Sequence, residues 1–342
     1  MRSIRHLTLV VVLVTSFAAA FVNAPAQAAQ KALVIAFVNT GSESGWRAAF
    51  TDAMKSEATK EGIDLKYTDG QQKQEVQIAG MRAAIAQKVD AIVLAAIVDT
   101  GWDAVLKEAQ DAKVPVLLVD RDVTVKDPAL YPVTRVGADF DKEGRLAASF
   151  LAMASAENPK WALGCNIVEL QGTTGASAAV QRAKGFGEAL ALFPLMKIVA
   201  SQNGDFTRDG GQKAMEALIK SQDNLKDVCA IWAHNDDMLL GALVALKAAG
   251  IKTGKGGILT ISVDGVCDAY KAMADGDMSA NVVLLPSLGV QAYQAVRDVI
   301  AGKTVPKWTV MPTSTNVAAG NEDLYQNRRQ RKNVFDRWNQ GL

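Results

Sequence analysis

Trp46-Arg47 and Asp120-Arg121 are neighbouring pairs whose side chains could do chemistry together. A guanidinium offers five N–H donors in a rigid fork, a carboxylate offers acceptors, and an indole offers a flat apolar face. Forks and carboxylates hydrogen-bond hydroxyls in pairs, while the plate covers a ring. Together they suit a small, neutral, hydroxyl-rich molecule. Arg182, Phe206, Asn235 and Asp264 add groups of the same kinds further along. A surface ion pair beside a capped helix would use the first four residues equally well. The elements that hold them therefore have to decide.

Val116-Leu117-Leu118-Val119 follows Pro115 and reads as a buried parallel strand ending at Asp120. Leu33 to Val38 is a second such strand, opening into GSESGWRAAF (Gly41 to Phe50), a Gly/Ser turn that feeds a helix. In open α/β sheets, ligands sit beyond the carboxyl ends of the strands. Short apolar runs predict strands near 32–38, 63–67, 91–95, 115–119, 132–137, 164–170, 196–200, 228–233, 258–262 and 279–284. Between them, helices are predicted near 45–60, 73–87, 101–112, 139–155, 176–192, 208–221, 235–249, 266–275 and 287–301. Leu239, Ala242, Leu243 and Leu246 show the helical spacing, falling on one face. Such alternation means parallel sheets covered on both faces.

The series has two parts. The turn after 33–38 opens the first, and GTTGAS (Gly172 to Ser177) opens the second. The segment 131–138 joins them, its Tyr-Pro start favouring an extended crossing. Pro306 and Pro312 flank Trp308 in a candidate further crossing. At 342 residues the chain is comfortable as two lobes. The expected fold is α/β, with two Rossmann-like lobes whose strand ends face a shared cleft.

The first 28 residues read as a removable secretory signal. Arg2, Arg5 and His6 are basic, Leu7 to Val22 is apolar, and Ala26-Gln27-Ala28 fits a small-residue cleavage site. No cysteine lies near that site, so no lipid attachment is expected. The formal charge of +1 leaves the mature chain close to neutral, which argues against a nucleic-acid partner. Only His234 remains after cleavage, so a multi-histidine metal site is excluded. The cysteines are Cys165, Cys229 and Cys267, which allow at most one bridge within the chain. Cys165 and Cys229 begin the first and third predicted strands of the second lobe. Those strands are neighbours in a sheet of flavodoxin-like order, so this pair is the expected disulfide.

Enzyme motifs are missing. QGTTGAS lies between a strand and a helix but lacks the G-x-G-x-x-G spacing, and no P-loop or G-x-S-x-G elbow occurs. It reads as a tight turn with an exposed helix N-terminus. No motif places a nucleophile beside His234, which reads as a strand-end residue next to a binding residue. Asp120, Asp205, Asp236, Asp237 and Asp264 lie near strand ends and leave a carboxylate pair for glycoside hydrolysis open. Their company of aromatic plates and guanidinium forks favours binding over chemistry.

With GSESGWRAAF, DGQQKQE (Asp69 to Glu75), VELQGTTGAS (Val168 to Ser177), GDFTR (Gly204 to Arg208) and AHNDDM (Ala233 to Met238), the chain resembles a known family. It is similar to the type I periplasmic sugar-binding proteins of bacterial ABC importers over 31–315, and most to the galactofuranose-binding branch. The resemblance implies two lobes joined by three crossings with a sugar clamped between them. It implies first-lobe contacts at Trp46, Arg47, Asp120 and Arg121, with Glu43 and Gln72 as further ones. Second-lobe contacts would be Arg182, Phe206, Asn235 and Asp264. Ribose-binding members carry an aromatic where Arg47 stands, so Arg47 is expected to alter ligand choice. They also carry a polar contact near the last crossing, where this chain has Val283-Leu284-Leu285. Sugar-responsive repressors share the fold, but a helix-turn-helix stands where this chain has its signal.

The implied protein is periplasmic, monomeric and without cofactor or catalytic residue. It delivers a monosaccharide, galactofuranose, to a permease and ATPase. Another pentose or hexose, service to a chemoreceptor, and a periplasmic glycan hydrolase stand as alternatives. The expected organisation is a signal over 1–28, a first lobe of 29–136 plus 286–313, and a second of 137–285 plus 314–342.

Overall fold

The computed structural model describes residues 32–317 apart from 157–160, 162–163 and 255. The expected signal over 1–28 and the basic run Asn327 to Asn333 lie outside the described residues. In chain order the first series is β1 (Val34–Asn39), α1 (Gly45–Lys60), β2 (Asp64–Asp69), α2 (Gln74–Ala86), β3 (Ala91–Leu94), α3 (Asp103–Asp111), β4 (Val116–Val119) and β5 (Arg135–Ala138). The second is α4 (Phe140–Ala156), β6 (Cys165–Gln171), α5 (Ser177–Leu190), β7 (Met196–Asn203) and α6 (Arg208–Ser221). It continues with β8 (Val228–Ala233), α7 (Asp236–Ala248), β9 (Leu259–Asp264), α8 (Cys267–Ala274) and β10 (Ala280–Leu284). The chain then adds α9 (Gly289–Ile300), β11 (Trp308–Met311) and β12 (Thr313–Val317).

Two sheets result, in the orders β11-β5-β4-β3-β1-β2 and β12-β10-β9-β8-β6-β7. β3 (AIVL) and β4 (VLLV) are buried along their whole length, as strands covered by helices on both faces have to be. Leu239, Ala242, Leu243 and Leu246 are buried on α7, as their spacing predicts. No described helix is long and apolar enough to cross a membrane.

The chain passes between the sheets between β5 and α4, between β10 and α9, and at Pro312. α9 returns to the first sheet's helices, where Tyr293 Oη donates to Met54 O at 3.1 Å. One strand departs from the parallel expectation: β12 runs antiparallel to β10. β11 runs parallel to β5, and only Pro312 separates it from β12. Proline has no N–H to give a ladder, so it ends one strand and starts the next. A chain that arrives at the cleft along β11 has to leave it along β12, against the direction of β10.

Cys165 opens β6, Cys229 lies in the adjacent β8, and the two are bonded with Cα atoms 5.3 Å apart. Cys267 is free and exposed.

Candidate functional site

The carboxyl ends of β1 and β4 in one lobe meet those of β7, β8, β9 and β10 in the other. Between them lies a cleft with an empty volume of about 290 Å³, its solvent-open part included. Trp46, Arg47, Asp120, Arg121 and Glu43 line it from the first lobe, with Ser44. Arg182, Phe206, Asn235, Asp264, Ala178 and Leu284 line it from the other side. Gln72 does not join them. It is exposed, sits in a turn at φ +57°, and donates its backbone N–H to Thr40 O at 2.8 Å.

The first-lobe wall is a closed chain of ion pairs. Ser44 caps α1, its hydroxyl accepting from Arg47 N at 3.0 Å. That cap turns Arg47 inward, where Nε donates to Glu43 Oε1 at 3.0 Å and Nη2 to Asp120 Oδ2 at 2.5 Å. Arg121 reaches the same Glu43 Oε1 with Nη2 at 3.4 Å and gives Nη1 to Ile97 O at 3.3 Å. Burial opposes ionisation of Glu43, but the charges of Arg47 and Arg121 overcome it and hold the carboxyl below its usual range. Burial and the charge of Arg47 press Arg121 down to about 10, leaving it protonated at neutral pH. Arg47 Nη1 is buried and has no hydrogen-bond partner among the described residues, so it remains as a donor. Trp46 stacks on Phe50, with centroids 5.4 Å apart and planes at 11°.

The second wall hangs on Arg182. Its Nε donates to Glu143 Oε2 at 2.8 Å, its Nη1 to His234 O at 2.7 Å, and its Nη2 lies 3.8 Å from Asp264 Oδ1. Burial pushes both Glu143 and Asp264 up despite the charge of Arg182. Asn235 caps α7, accepting from Met238 N at 3.0 Å and donating Nδ2 to Phe206 O at 3.0 Å. His234 is fully buried, with Nε2 3.0 Å from Glu169 Oε1. Its Nδ1 accepts from Gly172 N at 3.4 Å, which puts the ring proton on Nε2. Burial holds this imidazole below its usual pKa, so it is neutral. The turn after β6 is not the exposed helix start that its sequence suggests. Ala176 and Ser177 are buried, and Ser177 Oγ accepts from Asp122 N of the first lobe at 2.9 Å.

Asp120 (φ +63°), Phe206 (φ +61°) and Asp264 (φ +124°) all hold left-handed backbones. Such conformations cost free energy for residues other than glycine and gather where a side chain has to be aimed. At the cavity, two contacts between lining residues close the walls on each other. Trp46 Nε1 donates to Leu284 O at 2.7 Å, and the Arg121 guanidinium lies over Phe206. Leu284 thus takes part through its carbonyl, which the apolar sequence there does not disclose. Glu143 was also beyond sequence reasoning. It lies 39 residues from Arg182, in the first turn of α4, and no motif links the two.

Residues 35–304 match the family model of the periplasmic binding protein domain. The galactofuranose-binding protein YtfQ of Escherichia coli (strain K12) is 50% identical over 283 residues, 83% of this chain and 87% of that protein. A crystal structure of a galactofuranose binding protein superposes with a TM-score of 0.82 at 46% identity, covering 87% of this chain and 99% of that one. The periplasmic binding component of the arabinose ABC transporter of Shewanella sp. ANA-3, bound to α- and β-L-arabinofuranose, also gives 0.82, at 45% identity over 89% of this chain and 98% of that one.

Proposed function

The chain belongs to the periplasmic binding protein family, and from that premise we propose that it captures galactofuranose in the cleft and delivers it to a membrane permease and ATPase. The cavity carries this reading. Three guanidinium groups and three carboxyl groups line it with two aromatic rings, a formally balanced set of donors and acceptors that suits an uncharged, hydroxyl-rich ligand. Arg47 Nη1 stands ready as a buried donor. The identity to YtfQ supports galactofuranose in particular.

The proposed roles follow from the donor inventory. Asp120 and Asp264 accept from hydroxyls. Arg47, Arg121 and Arg182 donate to hydroxyl or ring oxygens, Asn235 does both, and Trp46 and Phe206 cover the ring faces. Glu43 and its partners orient the first-lobe forks, and Gln72, outside the cavity, takes no part. The mature protein would be a periplasmic monomer released from its signal over 1–28. Its lobes would be 29–136 with 286–313, and 137–285 with 314–342. The division of β11 and β12 between the sheets supports that assignment.

L-Arabinofuranose is a second reading, favoured by the likeness to the arabinofuranose-bound Shewanella protein. Calorimetric titration of the purified mature chain with galactofuranose, L-arabinose, ribose and galactopyranosides tests both. Tightest binding of galactofuranose is expected. A charged buried donor or acceptor left unpaired costs about 1–3 kcal/mol or more, so Arg182→Ala or Asp264→Ala should weaken it roughly ten- to a hundredfold. Absence of galactofuranose binding by the wild type removes the ligand assignment and leaves the fold untouched.

A further inference from the structure

The lobes also touch at a point outside the cavity. Asp237, in the first turn of α7, is buried, and its Oδ2 accepts from the Gly45 N–H of α1 at 2.8 Å. Its Oδ1 accepts from Arg208 Nε at 2.6 Å. Arg208 spans onward to α8, giving Nη2 to Asp268 Oδ2 at 2.6 Å. The second lobe thus aims one fixed carboxylate oxygen at the first. The Gly45 N–H is among the donors that the opening turn of α1 leaves without a helical partner, and the helix dipole gives it positive character. A β-carbon on Gly45 would lie 3.4 Å from Asp237 Oδ2, so the two surfaces are already in contact.

We infer that Asp237, held by Arg208, is a positioning residue for capture: it is the latch that the N-terminus of α1 engages when the lobes close. The ligand arm of this inference rests on the proposed function; the closure arm does not. A cleft that binds by closing has to open to admit and release its ligand. Asp237 does not line the cavity, so its bond to Gly45 favours the closed form equally for every ligand. The cavity then sets which sugar is chosen. The latch contributes, beside the Asp122–Ser177 and Asp99–Gly175 bonds between the lobes, to the affinity common to all of them, because apparent affinity scales with the population of the competent form.

A merely structural Asp237 would stabilise the start of α7 and neutralise Arg208, with no link to Gly45. The test is a double-mutant cycle on the mature chain with Asp237→Ala and Gly45→Pro. Proline is tolerated at the first helical position, and Ser44, at φ −147° and ψ 162°, already has the extended backbone that precedes it. That substitution removes the N–H and puts a ring carbon in its place.

Each single change should raise the Kd for galactofuranose about tenfold, with the rise in the off-rate. A second bound sugar should lose affinity by the same factor, and the double variant should be no weaker than the weaker single. Losses that multiply in the double variant, or an unchanged Kd, overturn the latch. The radius of gyration from small-angle scattering, with and without sugar, gives a second readout. Should the wild type bind no sugar, the ligand reading falls and the sugar-free radii judge the latch. Variants more expanded than the wild type support it, and identical radii overturn it.

Discussion

The Arg121 guanidinium lies 5.0 Å from the centroid of the Phe206 ring, across the cleft. Each partner is held in place by its own lobe. Arg121 is fixed by Glu43 and Ile97 O, and Phe206 by Asn235 through its backbone carbonyl. A desolvated cation on an aromatic face is worth about 0.5–2 kcal/mol. The contact therefore joins the two lobes at the cavity wall itself.

Phe206→Leu keeps apolar bulk and loses the π face. Galactofuranose binding should weaken several-fold, and Arg121→Gln should weaken it more. The pair should show a coupling of about 0.5–2 kcal/mol in a double-mutant cycle of calorimetric affinities. Strict additivity would mean that the two rest against each other without energetic consequence.

Arg47 offers a different lever, on selectivity. Its Nε and Nη2 are engaged with Glu43 and Asp120, and its Nη1 has no partner among the described residues. Arg47→Phe removes that donor and leaves two buried carboxylates short of a cation. Affinity for galactofuranose should fall more than affinity for ribose, which lacks the extra exocyclic hydroxyl. Titrations of both sugars, followed by tryptophan fluorescence, read this directly. Equal losses would make Arg47 a source of general affinity.

Much of this site was legible because strand ends are legible. Pro115 before VLLV and Asp120 after it mark both limits of β4, and the Gly/Ser turn after β1 delivers Trp46 and Arg47. Helix and strand limits follow from the same apolar runs and caps. What could not be read depends on tertiary neighbours. Glu143 meets Arg182 only because α4 packs on α5, Leu284 contributes a carbonyl rather than a side chain, and β12 takes its direction from β11. Gln72 shows the converse: it is near Gly41 in the fold yet remains outside the cavity.

Asp236 predicts a pH dependence of stability. Burial pushes its carboxyl up to about 7 from 3.8, against the hydrogen bonds from Ser262, Val266 N and Gly265 N. The folded chain then binds this proton more tightly than the unfolded chain. The stability it contributes is full below 3.8 and is lost as pH rises through about 7. His234 is held below its usual 6.5, so it gives the opposite trend, losing stability as pH falls through its folded pKa. The difference between the wild type and Asp236→Asn isolates the carboxyl. Urea unfolding between pH 4 and 8 should show Asp236→Asn losing the downward component, at most about 1.4 kcal/mol per pH unit. Parallel pH profiles would show that Asp236 stays ionised.

The Cys165–Cys229 bridge spans a sequence separation of 64 and ties β6 to β8. Closing so long a loop restricts the unfolded chain, and its loss should cost about 2–5 kcal/mol. Thiol counting on the denatured, unreduced mature protein should return one, from Cys267. The double variant Cys165→Ala, Cys229→Ala should unfold at lower urea while keeping its sugar affinity, because the bridge joins the β6 and β8 ends remote from the cleft. A count of three thiols would show that the bridge does not form.

Gly172 is where the turn after β6 meets the cavity wall. A β-carbon there would fall 2.0 Å from Phe206 Cζ and within 2.4 Å of two further ring atoms, so the ring rests on the bare glycine. The same residue donates its N–H to His234 Nδ1, which fixes the turn beneath the ring. Phe206, at φ +61°, cannot easily turn aside, since Asn235 holds its carbonyl. Gly172→Ala should therefore displace the ring into the cavity. Sugar affinity should fall at least tenfold, and overpacking of this kind should lower folding stability by about 1–3 kcal/mol. Combining it with Phe206→Ala removes the clash. If the glycine serves only the ring, the double variant should regain the stability that the single lost and bind no worse than Phe206→Ala alone. A double variant that stays as unstable as Gly172→Ala would assign the glycine to the turn itself. Calorimetry and urea unfolding on the three variants separate these outcomes.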